Sequence, residues 1–406
     1  MNCSICKKKL KLEVLDLGKA PITNNLLKKP KKNFKEIFPL SVYVCDKCWL
    51  VQNKEKLNPK KIFKNDYPYF SSFSSSWLKH AENLTNKIIR KFKLNKNSLV
   101  AEVASNDGYL LQYLKKKEIP CYGIEPTRST ALVAKKKGIK VFQNFFNIKI
   151  SKNLSKKNKA DIIIANNVLA HVPNLKDFIK SFRILLKKNG VAIFEFHYLI
   201  NLIKKNQFDT IYHEHYFYHS LLSLDRIFKI YNLKVFDAEK IKSHGGSLRL
   251  YVKNKESMIF KDTNRYKKLL LKEKKQGVNK FNFYKKLKVN STLIKEKFQS
   301  FLKDCDKKNL KVMGYGAAAK GITLINFAKI NNDLLKFVVD KNPAKQNKYL
   351  PQSNIKIVSE KKIKIIKPDY LVILPWNLKS EIIKELNYIR KWGGKFIVFV
   401  PKFKIF

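Results

Sequence analysis

Two stretches of the chain, from residue 98 to about 253 and from 305 to 406, alternate short apolar runs with segments of helical periodicity. No other feature limits the fold as strongly. In the first stretch, strands are predicted at 99–103, 121–124, 161–165 and 191–196, with helices around 109–117, 128–137 and 175–187. In the second, strands at 311–315, 337–339, 370–374 and 396–400 accompany helices at 320–330 and 380–391. Strands separated by helices pair in parallel and need cover on both faces, so each stretch reads as an α/β unit. Residues 254–304 are lysine-rich with helical spacing and few breakers, and read as a helical connector. Two similar units flanking a connector are what an old duplication would leave. At roughly 150 residues per domain, 406 residues hold two or three domains. The boundaries fall at 1–62, 63–253, 254–304 and 305–406.

The first 62 residues carry a different signal. Four of the six cysteines form two CxxC pairs, Cys3/Cys6 and Cys45/Cys48, while Cys121 and Cys305 stand alone near apolar segments. Two such knuckles can supply four thiolates to a tetrahedral zinc ion, a closed structural site with no open catalytic position. The 38 residues between the pairs exceed the ~15–20 of a compact ribbon, so a small domain must bring distant knuckles together. No apolar segment follows the charged start, which argues against a secretory signal and against disulfides. No run reaches the ~18 uncharged apolar residues of a membrane helix. The expected location is the cytoplasm, with no membrane partner.

A net charge of +54 invites a nucleic-acid reading, yet only seven of the 85 basic residues are arginine. Recognition of bases and phosphates favours the guanidinium fork, whereas here lysine is spread over every segment. The field favours anionic small ligands without specifying one, and no nucleic-acid partner is expected.

The chemistry concentrates in a few places. Strand 99–103 runs into Glu102-Val103-Ala104-Ser105-Asn106-Asp107-Gly108. Class I S-adenosylmethionine (SAM) enzymes place an acidic-x-Gly-x-Gly-x-Gly turn there, and only the last glycine is kept. Glu125 ends the next strand, 23 residues after Glu102, where a carboxylate can accept bonds from ribose hydroxyls. The fourth strand ends in Asn166-Asn167-Val168-Leu169-Ala170-His171-Val172-Pro173, at the sheet edge where open α/β folds bind ligands. The densest cluster is Tyr212-His213-Glu214-His215-Tyr216. It lacks the i, i+4 spacing of a zincin site and suits acid/base work better. In His244-Gly245-Gly246-Ser247-Leu248-Arg249 the glycines allow close backbone approach and Arg249 could hold phosphate. Finally, Gly314-Tyr315-Gly316-Ala317-Ala318-Ala319, with Asp340 at the next strand end, fits a dinucleotide fingerprint. Lys320 beside it could instead help to hold a pyrophosphate.

In order and spacing, these motifs resemble the SAM-dependent sugar C-methyltransferases that act on nucleotide-linked 4-keto deoxysugars. The resemblance covers nearly the whole chain. It runs through the double CxxC start, Tyr67-Pro68-Tyr69-Phe70-Ser71-Ser72, Ser105 to Leu111, Asn166 to Pro173, Phe208 to Tyr216, the His-Gly-Gly-Ser-x-Arg motif, Gly314 to Gly321 and Pro375-Trp376-Asn377. It implies an α/β protein of three parts: a small zinc-binding N-terminal domain, a class I SAM methyltransferase domain of Rossmann type, and a second Rossmann-like domain that helps to hold the sugar nucleotide. It also implies that the Gly314–Gly321 loop is not an NAD site.

Roles follow from the same resemblance. Cys3, Cys6, Cys45 and Cys48 would hold structural zinc. Glu102, Ala104, Ser105, Asn106, Asp107, Gly108, Glu125 and Asn166 would bind SAM. His215 would be the general base, with Tyr212, Glu214, His171 and Tyr67 or Tyr69 around the sugar. Asn167, His244, Arg249, Gly316 and Lys320 would contact the nucleotide-linked substrate. Spacing alone leaves His213 and His215 both open as the base. A monomer or weak homo-oligomer is expected. The rivals are a methyltransferase with another acceptor, an NAD-dependent sugar-nucleotide oxidoreductase, and a zinc-ribbon adaptor or nucleic-acid binder. The last leaves the Tyr212–His215 cluster without a purpose.

Overall fold

The computed structural model describes residues 1–62 and 70–406. In the N-terminal part, strands β1 (Leu12–Pro21), β2 (Ile37–Val44) and β3 (Val51–Asn53) pair antiparallel in that order. The outer edge of β3 pairs with a two-residue strand from far along the chain, Phe217–Tyr218. The fourth place in this small sheet is thus filled by the segment that follows the Tyr212–His215 cluster.

The middle unit contains β4 (Val100–Val103), β5 (Cys121–Ile124), β6 (Lys140–Phe142), β7 (Ala160–Asn166), β8 (Leu186–His197), β9 (the Phe217–Tyr218 strand), β10 (Leu233–Ile241) and β11 (Ser247–Asn254). Apart from β9 they form one sheet of order β10-β11-β8-β7-β4-β5-β6, parallel except for β11. The β7 sequence Ala-Asp-Ile-Ile-Ile-Ala-Asn is buried along nearly its whole length, as a central parallel strand covered on both faces must be. The order reverses between β4 and β7, and the connections there leave a crevice above their carboxyl ends. Helix Ser75–Phe92 covers one face with Trp77, Ala81, Leu84, Thr85 and Ile88, and starts where the Ser74 hydroxyl accepts from Trp77 N.

The C-terminal unit repeats the plan. Strands β12 (Val312–Tyr315), β13 (Phe337–Val339), β14 (Lys356–Val358), β15 (Tyr370–Ile373), β16 (Lys395–Val398) and β17 (Lys404–Ile405) form a sheet of order β14-β13-β12-β15-β16-β17, parallel except for β17. Its reversal lies between β12 and β15.

The connector is two helices, Asn264–Lys275 and Asn282–Lys307. The second runs through position 304 and buries Phe298 and Leu302 in the C-terminal core, with Phe298 against Phe399 at 4.3 Å between ring centroids. The short strands β6, β14 and β17 and the longer β10 and β11 at one edge of the middle sheet lie outside the predicted strands. The predicted helix at 380–391 is a helix only over Lys379–Glu385, and then tightens to 3-10 turns over Asn387–Trp392. No helix among the described residues is long and apolar enough to cross a membrane.

Candidate active site

The Sγ atoms of Cys3, Cys6, Cys45 and Cys48 lie within 4.8 Å of one another. Backbone bonds Lys7 N to Cys3 O (3.1 Å) and Trp49 N to Cys45 O (2.8 Å) close the two knuckles, each followed by a residue with positive φ. Cys3 approaches Cys48 at 3.5 Å and Cys6 approaches Cys45 at 3.3 Å. A tetrahedron of Zn–S bonds near ~2.3 Å fits this packing with four sulfurs and no vacant corner. The long gap is spanned by β1 and β2, which return the chain to the first knuckle.

A cleft of about 1210 Å³ lies above the carboxyl ends of β4 and β7 and is lined by all three parts of the chain. That exceeds the ~300–1,000 Å³ of a site for one small ligand.

One half of the cleft is built by the turn after β4. Ala104, Asn106 and Gly108 have φ of +54°, +49° and +76°. The left-handed conformations that glycine usually supplies are therefore kept at all three positions, although only one is glycine. Glu125 holds this turn by accepting from Asn106 N (2.9 Å) and Thr127 N (2.8 Å), and burial raises its pKa. Ala104, Asn106, Glu125 and Asn166 face the cleft. Glu102, Ser105, Asp107 and Gly108 stand behind it. Glu102 is fully buried beside Tyr109, and that burial holds its carboxyl well above the usual range. Asp107 accepts from Ser72 N and Asn106 from Ser71 N, so the serine stretch sits directly on the turn. Tyr67 and Tyr69 lie outside the described residues.

Sequence reasoning missed the wall beside this turn. Trp77 stacks on His80 at 4.8 Å and on Tyr109 at 5.7 Å, and His80 Nε2 lies 2.9 Å from the Glu195 carboxylate. A Trp-x-x-His step on an amphipathic helix looks like ordinary packing, so no signal marked it.

The other half is built by the loop before β9. His215 Nδ1 lies 2.8 Å from Thr210 O, and His171 Nδ1 lies 2.8 Å from Glu214 O. A carbonyl only accepts, so both Nδ1 atoms carry hydrogen and both Nε2 atoms keep a lone pair. The rings are 4.6 Å apart, and Tyr212 lies 4.0 Å from His215. Burial first, and the neighbouring His171 second, hold His215 well below its ordinary pKa. Burial brings His171 down to about 4. Both imidazoles are thus neutral near pH 7.

His213 points elsewhere, with Nε2 at 3.2 Å from Phe38 O and its ring edge-on to Phe38. His215, Tyr212 and His171 line the cleft and His213 does not. Glu214 is also behind the wall: Oε1 accepts from Thr23 Oγ1 (2.7 Å) and Asn24 Nδ2 (3.1 Å).

From the C-terminal unit, Lys320 enters the cleft at the start of helix Ala319–Phe327. Its Nζ donates to Asn377 Oδ1 (3.0 Å) and lies 4.7 Å from the centre of the Trp376 ring, and burial lowers its pKa to about 8. Trp376 Nε1 donates to Asp209 (2.7 Å), whose pKa burial raises to about 7.

The glycines at 245 and 316 serve packing. A Cβ on Gly245 would meet the Trp376 ring at 2.3 Å, and one on Gly316 would meet Pro375 at 2.5 Å. Asn167, with φ of +55°, lines the cleft beside Asn166. The His244 side chain lies outside what the structure describes. Arg249 departs from the phosphate-binding expectation. It is buried between Glu195 (2.7 Å) and Glu239 (2.8 Å), because its position on β11 turns the side chain inward. In the C-terminal fingerprint, Asp340 accepts from Ala317 N (2.8 Å) and has the Lys345 ammonium at 3.5 Å. Asp340 therefore holds the loop after β12 as Glu125 holds the turn after β4.

Three family models match consecutive parts of the chain: a zinc binding domain over residues 3–63, a methyltransferase domain over 77–238, and a C-methyltransferase C-terminal domain over 242–401. The C-methyltransferase NovU of Streptomyces niveus is 28% identical over 403 residues, covering 99% of this chain and 96% of the relative. Over its whole length the chain is similar to SAM-dependent C-methyltransferases. Among solved structures, a magnesium protoporphyrin IX methyltransferase from Synechocystis PCC 6803 with bound SAM is 14% identical, covering 43% of this chain and 78% of its own, with a TM-score of 0.34. A SAM-dependent methyltransferase from Clostridium acetobutylicum is 15% identical, covering 48% and 95%, with a TM-score of 0.36. The zinc binding domain match contains the four-cysteine cluster. Ala104, Asn106, Glu125 and Asn166 line the cleft within the methyltransferase domain match.

Proposed function

We propose that this C-methyltransferase methylates C3 of a nucleotide-linked 4-keto deoxysugar, with His215 as the general base. The observation that carries the proposal is the His215 imidazole: it is neutral, lines the cleft, and has Nδ1 fixed on Thr210 O so that Nε2 keeps its lone pair. Transfer to carbon needs a carbanion equivalent, and a keto group at C4 supplies one by acidifying the proton at C3.

Nε2 of His215 takes that proton, and the C3–H electron pair moves into the C4 carbonyl to give an enolate. In this reading Tyr212, whose ring lies 4.0 Å from that of His215, donates from its hydroxyl to the developing oxyanion. SAM supplies an electrophilic methyl carbon. Held beside Ala104, Asn106, Glu125 and Asn166, it would accept the enolate carbon's electron pair at that methyl and keep the electrons of the broken S–C bond on a neutral thioether sulfur. Opposite charges disappear in this step, so a dry, preorganised cleft favours it. Glu214 acts through its main-chain carbonyl, which turns His171. Lys320 and the amide end of its helix suit the anionic diphosphate of the substrate. Asn167, which lines the cleft, contacts the nucleotide sugar in this reading, and Arg249, buried in its ion pairs, does not reach the substrate.

The test mixes the protein with methyl-labelled SAM and a panel of nucleotide-linked 4-keto sugars in deuterated water. Label at C3 by NMR is the expected result. Label on a hydroxyl oxygen would overturn the enolate route.

A further inference from the structure

We infer that the zinc module clamps the base-bearing loop, and that Asn53 is the positioning residue that fixes His215. The inference rests on the proposed role of His215. Asn53 lies five residues after Cys48, on β3, and is buried. Its Nδ2 donates to His215 O (2.7 Å) and reaches Tyr212 O (3.5 Å), while its backbone N donates to Tyr216 O (3.0 Å). One residue therefore spans both ends of the turn that carries the base. The adjacent Gln52 faces the other way, and its Oε1 accepts from Ser4 N (3.1 Å) and Ser4 Oγ (2.7 Å) inside the first cysteine knuckle. β3 thus ties a knuckle to the loop through consecutive side chains, and its pairing with β9 extends the tie.

The second imidazole is held from the same side. Lys56 Nζ donates to Ser4 Oγ (2.5 Å) and to Pro173 O (3.3 Å), two residues beyond His171. The segments that carry His215 and His171 are therefore both tied to the zinc module, the first through Asn53 on β3 and the second through Lys56 just beyond that strand. The amide orientation of Asn53 is forced, because a reversed amide would put its oxygen against two carbonyl oxygens. Asn53→Asp makes that reversal with almost no change of shape.

The experiment compares zinc-loaded wild type with Asn53→Asp and Asn53→Ala. Turnover with a nucleotide-linked 4-keto sugar should fall about tenfold or more, the scale of a small misplacement at a reacting centre. KM for the sugar, SAM affinity and zinc content should stay within about threefold. Independently of any acceptor, NMR of ¹⁵N-histidine-labelled wild type should show a slowly exchanging His215 Nδ1–H, which the variants lose. Full turnover with an unchanged ring signal overturns the clamp. So does a joint loss of zinc, SAM affinity and thermal stability, which marks general unfolding. If wild type methylates no keto sugar, the proposed function fails, and the ring signal still decides the clamp.

Discussion

The imidazoles of His171 and His215 lie 4.6 Å apart, each with Nδ1 on a main-chain carbonyl, one on Glu214 and the other on Thr210. Burial lowers the pKa of both rings, so neither is held as an imidazolium. This sets up a base that is free at neutral pH.

The pH dependence follows with a definite sign. His171, His213, His215 and His219 are all held below the ordinary 6.5, chiefly by burial. Neutral His215 is the active form, so kcat/KM should stay level as pH falls through 6.5 and drop only below it. Because the unfolded chain takes up these protons first, the histidines' contribution to stability is complete above pH 6.5 and declines below it. A pH–rate profile with its acid limb at or above 6.5 contradicts this.

Arg249→Met should cost about 3 kcal/mol of stability, because it leaves the fully buried Glu195 with only His80 beside it, while Glu239 keeps Lys87 and Arg265. Denaturant unfolding checks the size. The KM for the sugar nucleotide in the surviving folded fraction should stay near the wild-type value. A large rise in KM at unchanged stability would restore the phosphate role.

Much of this architecture is legible in the chain, and the reasons for the exceptions are physical. The β4 and β7 strands and the cysteine knuckles announce themselves because their signals are local. The site is less legible because its supports are distant in sequence: Asn53 meets His215, Thr23 meets Glu214, and Trp376 meets Asp209. Arg249 misleads for the opposite reason, since a glycine pair before an arginine looks like an anion cradle until β11 buries the side chain. The two glycines owe their place to Trp376 and Asn201, whose side chains a Cβ would strike.

Ala104→Gly should stabilise the fold by about 0.5–1 kcal/mol, since Ala104 carries φ of +54° without glycine's freedom. Thermal unfolding at fixed SAM concentration measures it. A loss of stability would mean that the Ala104 methyl packs more usefully than its backbone strains.

Metal analysis should return one zinc per chain, and Cys48→Ser should lower both zinc content and Tm. A variant that keeps its zinc and its Tm would contradict a four-thiolate site.

The most direct measurement is His215→Asn assayed for methyl transfer and for deuterium exchange at C3 of the keto sugar, alongside SAM binding by calorimetry. The account predicts loss of both transfer and exchange by at least about a hundredfold, with SAM affinity within twofold of wild type. Transfer at the wild-type rate in this variant would contradict His215 as the base.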